Sequence, residues 1–415
     1  MRRVVVTGLG ALTPLGNSVK DYWDGLMQGR SGAALITRFD ASKFRTRFAA
    51  EVKGFDPENH MDRKEARKMD PYTQYAMVTA EEAFVDAGLH QFKIDGEKAG
   101  VIWGSGIGGL YTVFNEFKAY YLGDGVPKFN PFFVPKMISD IAAGYLSIRY
   151  GFHGPNYTTV SACASSNNAI IDAFNYIRWG VADLFITGGS EAAVNEPGVA
   201  GFNAMKALSE RNDDPATASR PFDLDRDGFV LGEGGAALVI ESLDHALARG
   251  ARIYAEIGGV GLSADAYHIT APHPEGLGAT LVMRNALRDA RLLPSEIDYI
   301  NVHGTSTPLG DLSEIKAIRN VFGEDAYRLN VSSTKSMTGH LLGAAGAAEA
   351  VASILAIVHG IVPPTINHFT DDPALDSRIN LTFNTPQSRT IRAALSNTFG
   401  FGGHNTSVVF KAYQA

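Results

Sequence analysis

Apolar residues recur along the chain with two different periods, and their alternation predicts an architecture. Short strand-like runs at 3–7, 100–103, 157–160, 183–187, 236–241, 253–260, 298–303, 329–332, 393–398 and 406–411, rich in apolar and β-branched residues, have the length of buried strands. Between them lie longer stretches with apolar positions three and four apart. After residue 163, for example, Ala169, Ile170, Ala173, Phe174 and Ile177 fall on one helical stripe. Strands alternating with helices predict an α/β protein with largely parallel strands, and no low-complexity linker divides it. The most apolar region, 341–364, contains Glu349, His359 and two prolines, so it reads as a buried Ala/Gly-rich helix rather than a membrane span.

The pattern also repeats. Ala83-Phe-Val-Asp-Ala-Gly-Leu89, followed by a strand and Gly104-Ser-Gly106, resembles Ala286-Leu-Arg-Asp-Ala-Arg-Leu-Leu293, followed by a strand and His303-Gly-Thr305. Val160-Ser-Ala-Cys-Ala-Ser165 resembles Val331-Ser-Ser-Thr-Lys-Ser336, each ending a strand and opening a helix. This predicts a degenerate duplication, divided into 1–250 and 251–415, whose halves offer strand ends and helix starts to one shared site.

Composition narrows the class without changing this picture. The 415 residues are 45% hydrophobic and 20% charged, as in an ordinary globular protein. A net charge of −7 argues against general nucleic-acid binding, which needs an excess of Lys and Arg. One basic cluster departs from the average: Arg63, Lys64, Arg67 and Lys68 are spaced to share a helix face, suited to a small acidic partner. A single cysteine leaves no disulfide framework and no cysteine-based zinc site, which points to a reducing compartment. The first strand begins at residue 3, leaving no room for a signal peptide, so a cytoplasmic location is expected.

That cysteine carries the candidate chemistry. Cys163 lies where a strand gives way to a helix, an address at which helix N–H groups lower a thiol's pKa. His303 and His340, each beside a glycine, lie at repeat-related positions and supply the partners a catalytic thiol requires. Lys335 precedes His340 and is placed to fix electrostatics near a thiolate. Glu349, inside an apolar helix, must be paired or bound to a cation. Three other motifs read as structural. Gly104-Ser-Gly106-Ile-Gly-Gly109 lacks the later acidic residue of a dinucleotide site and is a close-packing turn. Asp223-Leu-Asp-Arg-Asp-Gly228 opens like a calcium loop but has Gly234 where a bidentate Glu belongs. Gly400-Phe-Gly-Gly-His-Asn405 lacks the Lys-Ser/Thr of a phosphate loop.

Read together, these blocks resemble the β-ketoacyl-[acyl-carrier-protein] synthases, in particular the elongating enzymes of bacterial fatty-acid synthesis. The resemblance runs from Val4-Val-Val-Thr-Gly-Leu-Gly10 to Ser396-Asn-Thr-Phe-Gly-Phe-Gly-Gly403. It includes Arg220-Pro-Phe-Asp and Asp227-Gly-Phe-Val-Leu-Gly-Glu-Gly-Gly235. It implies the thiolase fold, a five-layered αβαβα core built from two duplicated halves, and a homodimer in which Phe133 lines the partner's acyl tunnel. It implies that Cys163 accepts an acyl group from acyl carrier protein, and that His303 and His340 assist decarboxylation of malonyl-[acyl-carrier-protein] and stabilise the enolate. The N–H groups of Cys163 and Phe401 would form the oxyanion hole. Thr305 and Thr307 would meet the phosphopantetheine arm, Ile107 and Phe202 would wall the acyl pocket, and Phe399 would also touch substrate. Phe401 would act as the pocket's gate. Lys64, Arg67, Lys68, Lys206 and Arg211 would dock the acidic carrier. No cofactor is implied beyond the carrier's own phosphopantetheine, with a structural monovalent cation near Glu349 as an option. Ala164-Ser-Ser-Asn-Asn168 and His404 depart from the commonest family wording, which leaves acyl-chain preference open. A specialised polyketide or aryl-polyene ketosynthase, a thiolase or primer-type synthase, a non-catalytic partner subunit and a nucleotide-binding dehydrogenase are the rival readings.

Overall fold

A computed structural model describes residues 1–414. Every one of the ten apolar runs becomes a strand of a single sheet: β1 (Val4–Leu12), β2 (Ala99–Gly104), β3 (Asn156–Thr159), β4 (Leu184–Glu191), β5 (Gly234–Ser242), β6 (Ala255–Ala264), β7 (Tyr299–Asn301), β8 (Asn330–Ser332), β9 (Ala393–Gly400) and β10 (His404–Lys411). Across the sheet their order is β3-β2-β4-β5-β1-β6-β10-β9-β7-β8. Counted outward from the β1–β6 seam, the second half repeats the first strand for strand. Polarity repeats too: β2 runs parallel to β3 and β4, as β7 does to β8 and β9. Antiparallel pairs β4–β5 and β5–β1 match β9–β10 and β10–β6. This is the duplication predicted by the internal echo, in the thiolase-type architecture that the family resemblance implies.

The expectation of largely parallel strands is corrected, because only the outer ladders are parallel and the five around the seam are antiparallel. Helices cover both faces of the sheet, so most of its strands are buried on both sides whichever way they run, and apolar patterning does not report polarity here.

Helix α1 (Pro71–Asp86) packs on the outer face of β1, β5 and β4, while α2 (Ser165–Arg178) packs on the opposite face of that half, against β2 and β4. In the second half α3 (Leu277–Ala290) packs on β6 and β10, backed by α4 (Pro308–Phe322). Between the halves α2 meets α5 (Ala345–His359), whose residues are buried from Ala345 to Ala356, giving five layers with α2 and α5 in the middle. The apolar region 341–364 is therefore a core helix. Asp70 starts α1 by accepting from the Tyr72 N–H, and Pro71 supplies the preset φ of a first turn. Close approach of helix to strand is duplicated as well: a Cβ on Gly8 or Gly10 would strike α1 carbonyls, and one on Gly261 would strike the Val282 carbonyl of α3.

Residues that follow β3, β7 and β8 meet on this core, within 4.8 Å of one another.

Candidate active site

Cys163 is presented by a tight turn between β3 and α2. Ala162 adopts a left-handed φ of 51°, and the Ser165 hydroxyl ties the turn by donating to the Ala162 carbonyl at 2.7 Å and accepting from the Ser161 N–H at 3.0 Å. Gly400, at the end of β9, closes over this turn; a Cβ there would lie 2.6 Å from the Ser161 carbonyl oxygen. That approach brings the backbone N–H of Phe401, beside that of Cys163 itself, to face the sulfur.

His340 follows β8 and is held by its own backbone, which donates to Val230 at 2.7 Å and accepts from Gly232 at 2.9 Å. Its Nε2 lies 2.9 Å from the Cys163 sulfur. His303 follows β7, its ring 5.3 Å from that of His340 and nearly perpendicular to it. One ring nitrogen from each histidine and the sulfur lie within 4.8 Å of one another. The halves thus contribute unequally: the nucleophile comes from the first, both imidazoles from the second.

Lys335 and Glu349 form a buried ion pair, both about 2–3% exposed, and the Thr398 hydroxyl donates to Glu349 at 3.3 Å. Glu349 is paired, one of the two fates its position allowed, and burial still pushes its carboxyl up to about 7 against the pull of Lys335. The same ammonium acts on its neighbours. Burial first, and Lys335 second, hold both histidines well below the ordinary imidazole value, so each is neutral in the neutral pH range.

For Cys163 the expectation of a depressed pKa is corrected. Burial pushes the thiol up to about 12, outweighing Lys335 and the Phe401 N–H, which both favour the thiolate. A turn that aims helix N–H groups at a sulfur also removes water from it, and here desolvation wins. The resting pair is thiol and neutral imidazole. Because each pH unit below the pKa cuts the thiolate about tenfold, the alkylation rate of Cys163 by iodoacetamide should climb steadily from about pH 7 to 10. A plateau already reached near pH 8 would instead reveal a thiolate–imidazolium pair.

Other expected residues gather around this centre in part. Phe399 stands 5.7 Å from His303, ring to ring. Phe401 is half-buried at the turn of the β9–β10 hairpin, followed by Gly402 and Gly403, both with left-handed φ. Phe202 touches the centre through Phe229, whose ring is 5.3 Å from both Phe202 and His340. Thr305 and Thr307 hydrogen bond to each other at 3.0 Å just beyond His303. Ile107 lies on the loop after β2, partly exposed. Phe133, in a separate aromatic cluster with Phe117 and Phe129, makes no ring contact with the cysteine–histidine group.

The basic cluster is only partly helical: the helix spans Arg63–Ala66, so the shared helix face expected for 63, 64, 67 and 68 is corrected to one short turn and its continuation. Asp62 caps it and Met69-Asp70 at once start α1, which leaves no room for longer pairing. Lys64, Arg67, Lys68 and Lys206 are exposed, whereas Arg211 is half-buried and donates to the Asp225 carbonyl at 3.1 Å. The structural turns behave as read. A Cβ on Gly104 would strike the backbone of Ser166 in α2, and the Asp223 carboxylate accepts from Phe369, Thr370 and Asp225 N–H groups at 2.7–2.9 Å.

Buried acids that sequence reasoning passed over do much of the positioning. Glu314 on α4 accepts from the N–H groups of His303 at 3.0 Å and Gly304 at 2.9 Å. Asp311, one turn earlier, accepts from Ser306 and Phe222, and Arg226 donates to Pro308 at 3.0 Å, holding the Thr305–Thr307 loop. Their signal was the same as that of Glu349: carboxylates on an otherwise apolar face, here Asp311 and Glu314 three residues apart.

Family models describing the N-terminal and C-terminal domains of β-ketoacyl synthase match residues 1–246 and 254–369. A protein of Synechocystis sp. named 3-oxoacyl-[acyl-carrier-protein] synthase 2 is 51% identical over 415 residues, covering 100% of this chain and 99% of its own. A β-ketoacyl synthase from Burkholderia phymatum superposes with a TM-score of 0.92 at 36% identity, each chain covered in full. AntDE:AntF, titled as a type II polyketide acyl-carrier protein in complex with its ketosynthase bound to the hexaketide, gives 0.89 at 34% identity, covering 99% of this chain and 100% of that one. Sequence, fold and the cysteine–histidine centre agree: this chain belongs to the β-ketoacyl synthase family.

Proposed function

We propose that this chain is an elongating 3-oxoacyl-[acyl-carrier-protein] synthase, condensing an acyl group held on Cys163 with malonyl-[acyl-carrier-protein]. The observation that carries this reading is a buried thiol 2.9 Å from a neutral imidazole, with a second neutral imidazole beside it. In the first step the sulfur attacks the acyl thioester, His340 relays the thiol proton to the departing pantetheine sulfur, and the acyl group passes to Cys163. In the second, the bond from the malonyl α-carbon to its carboxylate breaks, carbon dioxide leaves, and the electron pair becomes a thioester enolate. Neutral imidazole N–H groups hydrogen bond to the enolate oxygen without supplying a proton strong enough to quench it. The enolate carbon attacks the acyl carbonyl, whose oxygen is received by the N–H groups of Cys163 and Phe401; the tetrahedral intermediate collapses, and Cys163 leaves as thiolate and takes up a proton from solvent. The product is a 3-oxoacyl thioester two carbons longer.

The 51% identity to a synthase named for this reaction, against 34% to the type II polyketide ketosynthase of AntDE:AntF, favours fatty-acid elongation over polyketide assembly. A cysteine engaged with a histidine argues against a non-catalytic partner role. Thr305 and Thr307 are the side chains we assign to the pantetheine amides, and Ile107, Phe202, Phe399 and Phe401 to the acyl pocket and its gate. Pairing of two chains, with Phe133 contributed across the boundary, is supported by the free edge at β3 and by exposed apolar side chains nearby in sequence, Val134 and Val160. A cytoplasmic location accords with a carrier-borne substrate.

Intact-protein mass after incubation with acyl-[acyl-carrier-protein], followed by malonyl-[acyl-carrier-protein] and product analysis, tests the reading: one acyl group on Cys163 and a product two carbons longer are expected. An unmodified Cys163 across all acyl lengths would refute it. Docking is assigned to Lys64, Arg67, Lys68, Lys206 and Arg211. Raising ionic strength from about 0.05 to 0.5 M should therefore raise KM for carrier-borne substrate several-fold and leave KM for acyl-pantetheine unchanged. Equal effects on both substrates would exclude electrostatic docking.

A further inference from the structure

Glu191 ends β4 with a side chain that is fully buried and has no cation among its hydrogen-bond partners. Four donors converge on it. Oε2 accepts from the Gly106 N–H at 2.8 Å and the Gly343 N–H at 3.0 Å, and Oε1 from the Ile107 N–H at 3.2 Å and the Ser105 hydroxyl at 3.3 Å. The donors belong to two separate segments. Ser105, Gly106 and Ile107 form the loop after β2, from which Ile107 projects, while Gly343 lies three residues after His340. Nothing larger than hydrogen fits between them: a Cβ on Gly106 would lie 2.9 Å from Oε2 and 3.2 Å from the Ala162 carbonyl, next to the nucleophile.

We propose that Glu191 is a positioning residue that fixes the Ile107 wall of the acyl pocket to the His340–Gly343 segment, so that acyl-chain accommodation and placement of the general base are mechanically coupled. This rests on the reading of the chain as an elongating synthase. An isolated carboxylate is costly to bury, and burial pushes Glu191 up to about 7, yet it is the one side chain of its size that offers two acceptor oxygens and no donor when ionised. A glutamine in its place presents an amide N–H to at least one of the four donors. An acyl chain that presses on Ile107 pulls on the same carboxylate that seats Gly343. Length selectivity and condensation rate then share one anchor.

The test compares wild type with Glu191→Gln and with Ser105→Ala, which removes one donor without adding another, using a ladder of acyl-[acyl-carrier-protein] lengths. Rates of Cys163 acylation and of subsequent condensation are read separately. The expected result for Glu191→Gln is an acylation selectivity shifted toward longer chains by about tenfold, because the Ile107 wall is released, with a fall in the condensation rate. Ser105→Ala should shift selectivity the same way by a smaller factor. Equal proportional losses at every chain length in Glu191→Gln would overturn the coupling and leave only a structural role; should that variant fail to fold, an unchanged length profile in Ser105→Ala would overturn it. Wild type that fails to acylate at any length would instead sink the elongating-synthase reading on which the proposal stands.

Discussion

Cys163→Ala is expected to lower condensation by about 10⁴-fold or more, with no acyl mass adduct on the chain, because the covalent acyl-enzyme has no other site at which to form. Cys163 is the only cysteine, and its sulfur is the partner of His340 Nε2. The substitution should nevertheless be mild for stability, since it removes one small buried atom and leaves a neutral imidazole short of one hydrogen bond, a cost of about 1–3 kcal/mol. His303 and His340 stay in place, held by Glu314, Val230 and Gly232 rather than by the sulfur. Decarboxylation of malonyl-[acyl-carrier-protein] should therefore persist in the variant. Measuring carbon dioxide release beside product formation separates the two half-reactions: condensation surviving at wild-type rate would remove Cys163 from the mechanism, and loss of both would mean that the thiol also organises the imidazoles.

Lys335→Met is expected to be the most damaging single change to stability, by about 3–5 kcal/mol, because it strands Glu349 as a buried carboxylate without its counter-charge. Lys335→Met combined with Glu349→Leu should recover much of the loss, since both desolvation costs disappear together. Denaturant midpoints of the two single variants and the double decide this; additive losses would show that the pair is not energetically coupled. The pH dependence has a definite sign. Burial raises the Glu349 pKa in the folded chain, so its proton binds more tightly folded than unfolded, and stability from this group is full below the ordinary carboxyl value and declines as pH rises through about 7. Without Lys335 the folded carboxyl should be pushed higher still, so the decline continues to higher pH and the deficit of Lys335→Met grows as pH rises above about 7. The histidines respond oppositely in charge. Lys335 depresses both, so in Lys335→Met their pKa values should rise and the acid limb of the rate profile move to higher pH.

Much of this molecule was legible before its coordinates. All ten strands of the sheet fall on the predicted runs, most of them because they are buried on both faces and have no polar alternation to confuse the reading, while the edge strand β3 is only partly buried. The duplication was visible in short echoes around Gly104 and His303, which the structure places at equivalent strand ends. Polarity was not legible, since burial on both faces erases the difference between parallel and antiparallel strands. Nor was the net effect on the Cys163 thiol: the sequence places it at a helix start, but the water excluded by the close approach of Gly400 is a property of the packed fold. Glu191 and Glu314 were readable as charges in apolar surroundings, yet the three backbone N–H groups that Glu191 accepts and the two that Glu314 accepts lie on loops the sequence does not place beside them, Gly343 lying 152 residues from Glu191.

The seam between β1 and β6 bears on how the chain reaches this state. β1 is complete by Leu12 and wholly buried, yet its first partner residue, opposite Val4, is Ser242, and on its other side Ile257. During synthesis from the amino terminus, the most apolar strand of the core emerges first and waits for more than half of the chain before either neighbour exists. Contacts so distant along the sequence make closure of the sheet slow, and the waiting segment is a natural binding site for chaperones that recognise extended apolar chain.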